Sequence, residues 1–356
     1  MYIWYALKKK RKMKRMKQRS TITEIALAAG VSVPTVSKVL NQRSDVAQET
    51  RLRVEQVIKE KGYVRNRAAR ALGGGQSGLI DLIVSKPLDS EYFLEIIHGI
   101  EEIAQQEGKD IVLTTIQDEA QVDRLEHAAD RLTDGVVLLL PRMHEQYVNV
   151  FLKYAIPFVV IDNSIQIDSS IPSVGTTNWP GGLAATQYLL SLGHQRIGII
   201  ADETHYLMAR ARFFGYRMAL ETAGIPFDPL LVREGNFHPE DGLEQTRVLL
   251  DLPNPPTAIF AGSDWQAAGV YRAIYERGLS VPADISVIGF DDVPSARWMT
   301  PPLTTIRQPL KEMGRTAMTI LMKLIANEAL ETPRVELASS LIIRESCAAP
   351  RTPKCV

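Results

Sequence analysis

The chain is 356 residues long and 45% hydrophobic, which suffices for a small headpiece and a core of two subdomains, each with its own apolar interior. Its formal charge of zero is a sum of opposites: 18 Lys/Arg stand against 5 Asp/Glu through Ser77, and 23 against 36 beyond it. A polyanion partner is therefore expected for the first part alone, and nucleic acid fits best. Cys347 and Cys355 match no metal-ligand spacing and build no disulfide framework. No apolar run reaches the roughly 18 residues of a membrane span, and the apolar start Met1 to Leu7 precedes its cationic run, the reverse of an export signal. A cytoplasmic protein with no metal and no cofactor is expected.

Residues 1–19 carry nine basic and no acidic side chains. They read either as a disordered arm on DNA phosphates or as an unstructured leader ahead of a true start near Met16. A headpiece follows over 20–65. Thr21-Ile22-Thr23-Glu24 has the form of a capping box and begins a helix. Its apolar face is expected from Ile25, Leu27 and Ala28, and it ends at Gly30, which suits a tight turn at positive φ. Ser32 caps a second helix, with Pro34 tolerated in the first turn and Val36, Val39 and Leu40 at helical spacing. Two short helices around a glycine turn make a helix-turn-helix. A third runs from about Gln48 through Leu52, Val54, Val57 and Ile58 to a stop at Gly62. Residues 66–77 hold a short helical stretch, Asn66 to Leu72, and a glycine linker; so short a helix does not hold alone in water, so this hinge becomes helical only with a partner.

Beyond Gly78 short β-rich runs alternate with amphipathic segments, the pattern of parallel βαβ units. Strands are expected at Leu79–Val84, Ile111–Thr115, Gly135–Leu140 and Phe158–Ile161, then at Arg196–Ile200, Thr257–Phe260 and Ser286–Phe290. Two similar halves in tandem imply two doubly wound parallel-sheet subdomains with a cleft at the carboxyl ends of the strands. The core is expected over 78–346, with one subdomain at about 78–162 and 290–306 and the other at about 178–289 and 307–346, and a tail at 347–356. No nucleophile elbow, phosphate loop or metal-binding His pair occurs; Gly73 to Gly78 precedes a strand, where a phosphate loop would follow one. His194, in the approach to a strand, reads as structural. An enzyme is not expected.

Several segments, in order, resemble the lactose-repressor family of bacterial regulators, from about Met16 to Ser346. They are Ala29-Gly30-Val31-Ser32 with Thr35-Val36-Ser37-Lys38-Val39-Leu40-Asn41, then Asn66-Arg67-Ala68-Ala69-Arg70-Ala71-Leu72, and Leu192-Gly193-His194-Gln195-Arg196-Ile197. The same holds for Ser263-Asp264, Asp284 to Asp292, Pro302-Leu303-Thr304-Thr305-Ile306 and Ile343-Arg344-Glu345-Ser346. The resemblance implies an α/β protein with a helix-turn-helix headpiece and a core of the periplasmic-binding-protein type. It further implies a homodimer on a pseudo-palindromic operator, because two-fold symmetry calls for matching half-sites. By that likeness Val33, Pro34 and Lys38 face the major groove, with Thr35, Ser37 and Asn41 near the backbone. Many relatives have Arg at Lys38 and polar or aromatic residues at Val33 and Pro34. Here the pair offers only apolar contact, leaving Lys38 as the donor to a guanine edge; the other reading packs Val33 inside the headpiece and gives Lys38 to phosphate. In the hinge, Asn66, Arg67 and Ala69 accompany Leu72, either a minor-groove wedge that bends the operator or a cap on the core.

For the core the resemblance implies a small-molecule effector, a mono- or oligosaccharide. A sugar pocket needs planar donors and acceptors for hydroxyl pairs and an aromatic face for the ring. Arg212 is implied as the fork and Asp291 as an acceptor. Asp162 closes the fourth strand, Phe237 holds the stacking position, and Tyr92 and Phe93 complete the cleft from the other side. Ser263 stands where Asn is common before Asp264, and Thr177-Asn178 where Asp-Asn is frequent, so the pocket is altered. Arg212 could instead be a surface ion-pair partner, Phe237 loop packing, and Asp162 or Asp264 braces behind the site. Trp179, Trp265 and Trp298 are read as interface or core aromatics. Alternatives to the saccharide are a phosphocarrier protein partner or a purine corepressor, or else a sugar-binding protein of a transport system.

Overall fold

The computed structural model describes residues 20–40, 43–63, 76–85, 90–116, 122–129, 133–140, 144–162, 168–202 and 206–351. The arm 1–19, Asn41, the hinge residues Asn66, Arg67, Ala69 and Leu72, and the end of the tail lie outside them. Contacts divide the chain into two compact units, Met1–Ser77 and Gly78–Val356.

In the headpiece, α1 (Ile22–Ala29) begins with both arms of the capping box: Thr21 Oγ1 accepts from the Glu24 N–H at 3.3 Å and Glu24 Oε2 from the Thr21 N–H at 2.9 Å. Gly30 ends it at φ 63° and turns the chain into α2 (Val33–Leu40), where Ser32 Oγ accepts from the Thr35 N–H. The third helix, α3 (Gln48–Lys61), stops at Gly62 with φ 58°. Ile25, Ala26, Ala29, Val36, Val39 and Val54 form the buried centre. Leu27 is 84% exposed, against expectation, because residues 25, 26 and 29 share one side of a helix at about 100° per residue and residue 27 falls opposite. Leu52 is exposed likewise, leaving Val54, Val57 and Ile58 to face α1 and α2.

The core is built on two six-stranded sheets. The first lobe contains β1 (Leu79–Ser85), α4 (Glu91–Gln106), β2 (Asp110–Ile116), α5 (Val122–Ala129), β3 (Gly135–Leu139), α6 (Glu145–Lys153), β4 (Phe158–Ile161) and β5 (Ser173–Thr176). The chain crosses to the second lobe through α7 (Asn178–Ser191), β6 (Ile197–Asp202), α8 (Leu207–Thr222), β7 (Val232–Gly235), α9 (Pro239–Leu250), β8 (Ala258–Ala261), α10 (Asp264–Glu276), β9 (Ser286–Asp291) and β10 (Thr304–Arg307). It returns for α11 (Leu310–Ile325) and β11 (Arg334–Leu337), then crosses again to β12 (Ser340–Ile342). The sheet orders are β11-β5-β4-β3-β1-β2 and β12-β10-β9-β8-β6-β7, parallel except for β10 with β12. An apolar cluster fills each face of each sheet.

The expected assignment of 290–306 to the first subdomain is corrected by this topology. β10 runs parallel beside β9, Thr304 opposite Ile288 and Arg307 opposite Asp291, so the segment belongs to the second sheet. The residues that return to the first lobe are α11 and β11. The segment 347–351, expected as tail, is tied to the second lobe by the Ala348 N–H, which donates to Ser286 Oγ at 3.0 Å. The strands absent from the expectation, β5, β7, β10, β11 and β12, are three or four residues long. Three of them, β7, β11 and β12, are sheet edges and largely half-exposed.

Candidate functional site

On the headpiece, Val33 and Pro34 open α2 as exposed side chains, and Val33 at 37% exposure does not pack inside. Thr35 and Ser37 are half-buried on the same helix. Lys38 stands near its end, its Nζ donating to Asp45 Oδ2 at 2.7 Å with both side chains about half exposed. The ammonium also holds the Asp45 carboxyl below its usual range. Such a pair is held weakly in water and opens readily for a competing acceptor.

In the core, the carboxyl ends of both sheets supply the polar side chains. Asp162, just past β4, has φ 54°, Phe237 past β7 has φ 59°, and Asp291 at the end of β9 has φ 122°. Backbone in these sparsely populated regions is characteristic of binding sites held by their surroundings. Arg212 on α8 is only 4% exposed, so it is no surface ion-pair partner. Its Nε donates to Asn178 Oδ1 at 2.8 Å and its Nη1 to the Gly262 carbonyl at 2.6 Å. The guanidinium lies 3.8 Å from the Phe290 ring centroid and 5.6 Å from that of Phe237, a stacked cation with its edge still available for a planar partner. What allows Asn178 to reach Arg212 is the close crossing of α7 and α8. A Cβ at Gly182 would sit 2.3 Å from the Arg212 carbonyl oxygen, and one at Gly215 2.4 Å from that of Trp179.

From the first lobe, Tyr92 Oη donates to Asp162 Oδ2 at 2.6 Å. Phe93 is buried in that lobe's apolar core and packs edge-on against the Tyr92 ring at 5.7 Å. Asp291 Oδ1 accepts from Gln308 Nε2 at 2.6 Å. Ser263 caps α10, its Oγ accepting from the Gln266 N–H at 3.0 Å and donating to the Phe237 carbonyl at 3.3 Å. Asp264 fits the bracing alternative: its oxygens accept from Thr305 Oγ1 at 2.5 Å and the Val293 N–H at 3.0 Å, which pins the loop beyond Asp291. Asp292, next in the chain, accepts from Arg307 Nε at 2.6 Å and from Arg344 Nη2.

Burial dominates the electrostatics. It pushes the Asp291 carboxyl up to about 7, against the pull of Arg212 and Gln308. It raises Asp162 as well, opposed by the Tyr92 hydrogen bond and the Arg212 charge. Asp264 rises well above the usual carboxylate range through burial and then the Asp291 charge. Tyr92 is pushed well up by burial and by Asp162, so its phenol keeps its proton and donates. Around neutral pH the cluster thus offers a guanidinium edge, a phenol and carboxyls able to accept or donate, a set suited to hydroxyl groups.

Asn178, Phe290 and Gln308 were not among the expected site residues. Phe290 reads as one more apolar residue of a buried strand and Gln308 gives no site signal, while Asn178 reads only as half of the altered Thr177-Asn178 pair, with no partner assigned. His194 is structural as expected: its imidazole is buried between Thr257 Oγ1 at 2.8 Å and Ser286 Oγ at 3.0 Å, and burial holds its pKa down. Trp298 is 84% and Trp179 41% exposed, and the Trp265 ring lies tilted against that of His238, centroids 5.0 Å apart.

The family model for bacterial regulatory proteins of the lacI family matches residues 21–66, and that for a periplasmic binding protein-like domain matches 186–347. The HTH-type transcriptional repressor PurR of Haemophilus influenzae (strain ATCC 51907 / DSM 11121 / KW20 / Rd) is 35% identical over 92% of this chain and 98% of its own. The chain belongs to the lacI family. The ribose operon repressor of Escherichia coli (strain K12), another lacI-family match, is also 35% identical, over 92% of this chain and 99% of its own. Among solved structures, the lac repressor dimer bound to operator and the anti-inducer ONPF aligns at a TM-score of 0.81 and 31% identity, covering 93% of this chain and all of that one. This lacI-family chain is a DNA-binding transcriptional regulator, and its curated relatives are repressors rather than enzymes. Among the described residues no single helix is long and apolar enough to cross a membrane.

Proposed function

We propose that the chain is a cytoplasmic repressor of carbohydrate-utilisation genes, acting as a homodimer on a pseudo-palindromic operator and controlled by a mono- or oligosaccharide bound between the lobes of its core. The observation that carries this reading is the meeting of Arg212, stacked on Phe290, with Asp291 and the Tyr92–Asp162 pair, where both sheets present their carboxyl ends. A guanidinium fork and carboxyls match adjacent ring hydroxyls, and Phe237 gives an apolar face to the ring. A ligand clasped by both lobes favours one arrangement of them, and can shift operator affinity only by that preference.

In the headpiece, Lys38 leaves Asp45 to donate to a guanine edge while Val33 and Pro34 touch thymine methyls; Thr35, Ser37 and Asn41 hold the backbone. Asn66, Arg67 and Ala69 carry Leu72 to the minor groove as a wedge. The test selects an operator from random DNA with the full-length protein. D-Ribose, D-xylose, cellobiose and hypoxanthine are then titrated calorimetrically, and operator affinity is measured with each. A sugar that binds and changes operator affinity is expected, with Leu72→Ala weakening operator binding and leaving sugar affinity unchanged. A response to hypoxanthine alone would replace the saccharide by a purine.

A further inference from the structure

Three crossover segments join the lobes, and side chains rather than backbone alone lace them together. At the first, Thr177 Oγ1 accepts from the Ser339 N–H at 2.9 Å, and Ser339 belongs to the third. Thr176, the last residue of β5, donates its Oγ1 to Gln308 Oε1, and Gln308 lies in the second, between β10 of one lobe and α11 of the other. The same amide donates its Nε2 to Asp291 Oδ1 at 2.6 Å. Gln308 is 3% exposed and Thr176 5% exposed, so neither has water as a ready substitute partner. One planar amide therefore has its oxygen on the end of β5, where the first crossover begins, and its nitrogen on the Asp291 carboxyl. Since the amide is rigid, a shift at either end must be felt at the other.

We propose that Gln308 is a positioning residue that transmits the state of the Asp291 carboxyl to the crossovers, so that what occupies or ionises Asp291 sets the angle between the lobes. The inference rests on the reading of Asp291 as the acceptor in the effector cleft, but its mechanics need no particular effector. The charged and titratable groups around Asp291 are Arg212 from α8, Asp162 beyond β4, Asp264 from α10, Tyr92 from α4 and the neighbouring Asp292, itself held by Arg307 and Arg344. Burial leaves the Asp291 carboxyl titrating at about 7, so the proton serves as a first probe. An ionised carboxylate grips the Gln308 N–H more strongly than a neutral acid does.

The experiment uses full-length protein with a fluorophore pair on Leu152→Cys in the first lobe and Leu230→Cys in the second, positions 55% and 57% exposed, in a Cys347→Ser, Cys355→Ser background. Energy transfer is followed from pH 5.5 to 8.5, and the carboxyl titrations are read by carbon-13 resonance. The parent protein should show a change in transfer with a midpoint near neutrality, and Asp291→Asn should abolish it. Gln308→Leu should lose at least two thirds of the amplitude while Asp291 still titrates, with its midpoint moved upward because a donor to the carboxylate is gone. Thr176→Val cuts the other end of the bridge and should lose the amplitude without moving the midpoint, which keeps the test decisive should Gln308→Leu fail to fold. A parent-like change in both variants overturns the proposal, as does a parent whose lobes ignore the titration of Asp291. If D-ribose and cellobiose fail to bind the parent while the proton-driven change and its loss in both variants are seen, the saccharide reading falls and the role of Gln308 stands.

Discussion

Six buried side chains centre the headpiece, and Lys38, proposed to read the operator, sits half exposed with a surface aspartate as partner. In the core Arg212, proposed to hold the effector, is 4% exposed, two of its donors are committed to an amide and a carbonyl, and three carboxyls around it are buried. The contrast teaches where each unit keeps its free energy of recognition. Lys38 is solvated and loosely paired, so its charge is open to a polyanion at little cost and is readily screened by salt. Arg212, Asp162 and Asp291 are already desolvated before any ligand arrives, so the core's stability carries the cost of its preorganised site.

The largest expected effect follows from that cost. The folded core raises the Asp291 carboxyl to about 7 from the usual 3.8. A raised acid binds its proton more tightly in the folded state, so its contribution to stability is fully present below about pH 4 and is lost as pH rises through about 7. At about 1.4 kcal/mol per unit the loss is bounded at roughly 4 kcal/mol. Asp291→Asn, permanently uncharged, should match the parent below about pH 4, gain on it as pH rises to about 7 and level off above that, in thermal unfolding of the ligand-free protein. Parallel curves for the two proteins would show that Asp291 does not carry the cost.

Next in size is Arg212→Ala. It strands Asn178 Oδ1, the Gly262 carbonyl and the neighbouring carboxyls, and should cost the core about 3 kcal/mol in urea unfolding as well as ending any response to effector. Operator affinity without effector should stay within twofold of the parent under conditions where the variant is folded. A variant of unaltered stability would place the guanidinium in water and undo the contrast.

The same contrast explains what could be read from the sequence. Signals that act within four or five residues were legible: the capping box at Thr21 and Glu24, and the left-handed stops at Gly30 and Gly62. Leu27 misled because hydrophobicity alone does not say which side of a short helix is inward. In the core, Arg212, Phe237 and Asp291 were legible through the family resemblance and Asp162 through its place at a strand end, and the structure gathers the other three around Arg212. Gln308 was not, since its partner Thr176 is 132 residues away in sequence and the pairing exists only once two sheets are joined by crossovers. The lobe boundary failed for the same reason, the neighbour of β10 being fixed by sheet pairing and not by order along the chain.

On the headpiece side, Lys38→Ala should weaken binding to the selected operator by about 1–3 kcal/mol and relax preference at one base pair in each half-site. It sharpens the comparison because the lysine is exposed: the headpiece's own stability should be unchanged, unlike that of the core on losing Arg212. An equal loss on operator and random DNA would make Lys38 a phosphate contact. In a companion measurement, Asp45→Asn frees the ammonium and should raise affinity for random DNA at low salt, with the difference fading as salt is added.

The smallest effect tests the claim that the headpiece depends on local signals. Thr21 Oγ1 is the acceptor for the Glu24 N–H, and the Glu24 carboxylate returns to the Thr21 N–H, so two of the first turn's free donors are satisfied by one reciprocal pair. Thr21→Ala removes the side-chain half and should cost about 1 kcal/mol of headpiece stability. Since α1 contributes Ile25, Ala26 and Ala29 to a small centre with little to spare, that loss should appear as a measurable drop in the melting temperature of the headpiece transition, with the core transition unmoved. Thr21→Ser keeps the oxygen and should restore most of the loss. If Thr21→Ser melts with Thr21→Ala, the methyl rather than the cap holds the helix start, and the local signal that made this unit legible is not what stabilises it.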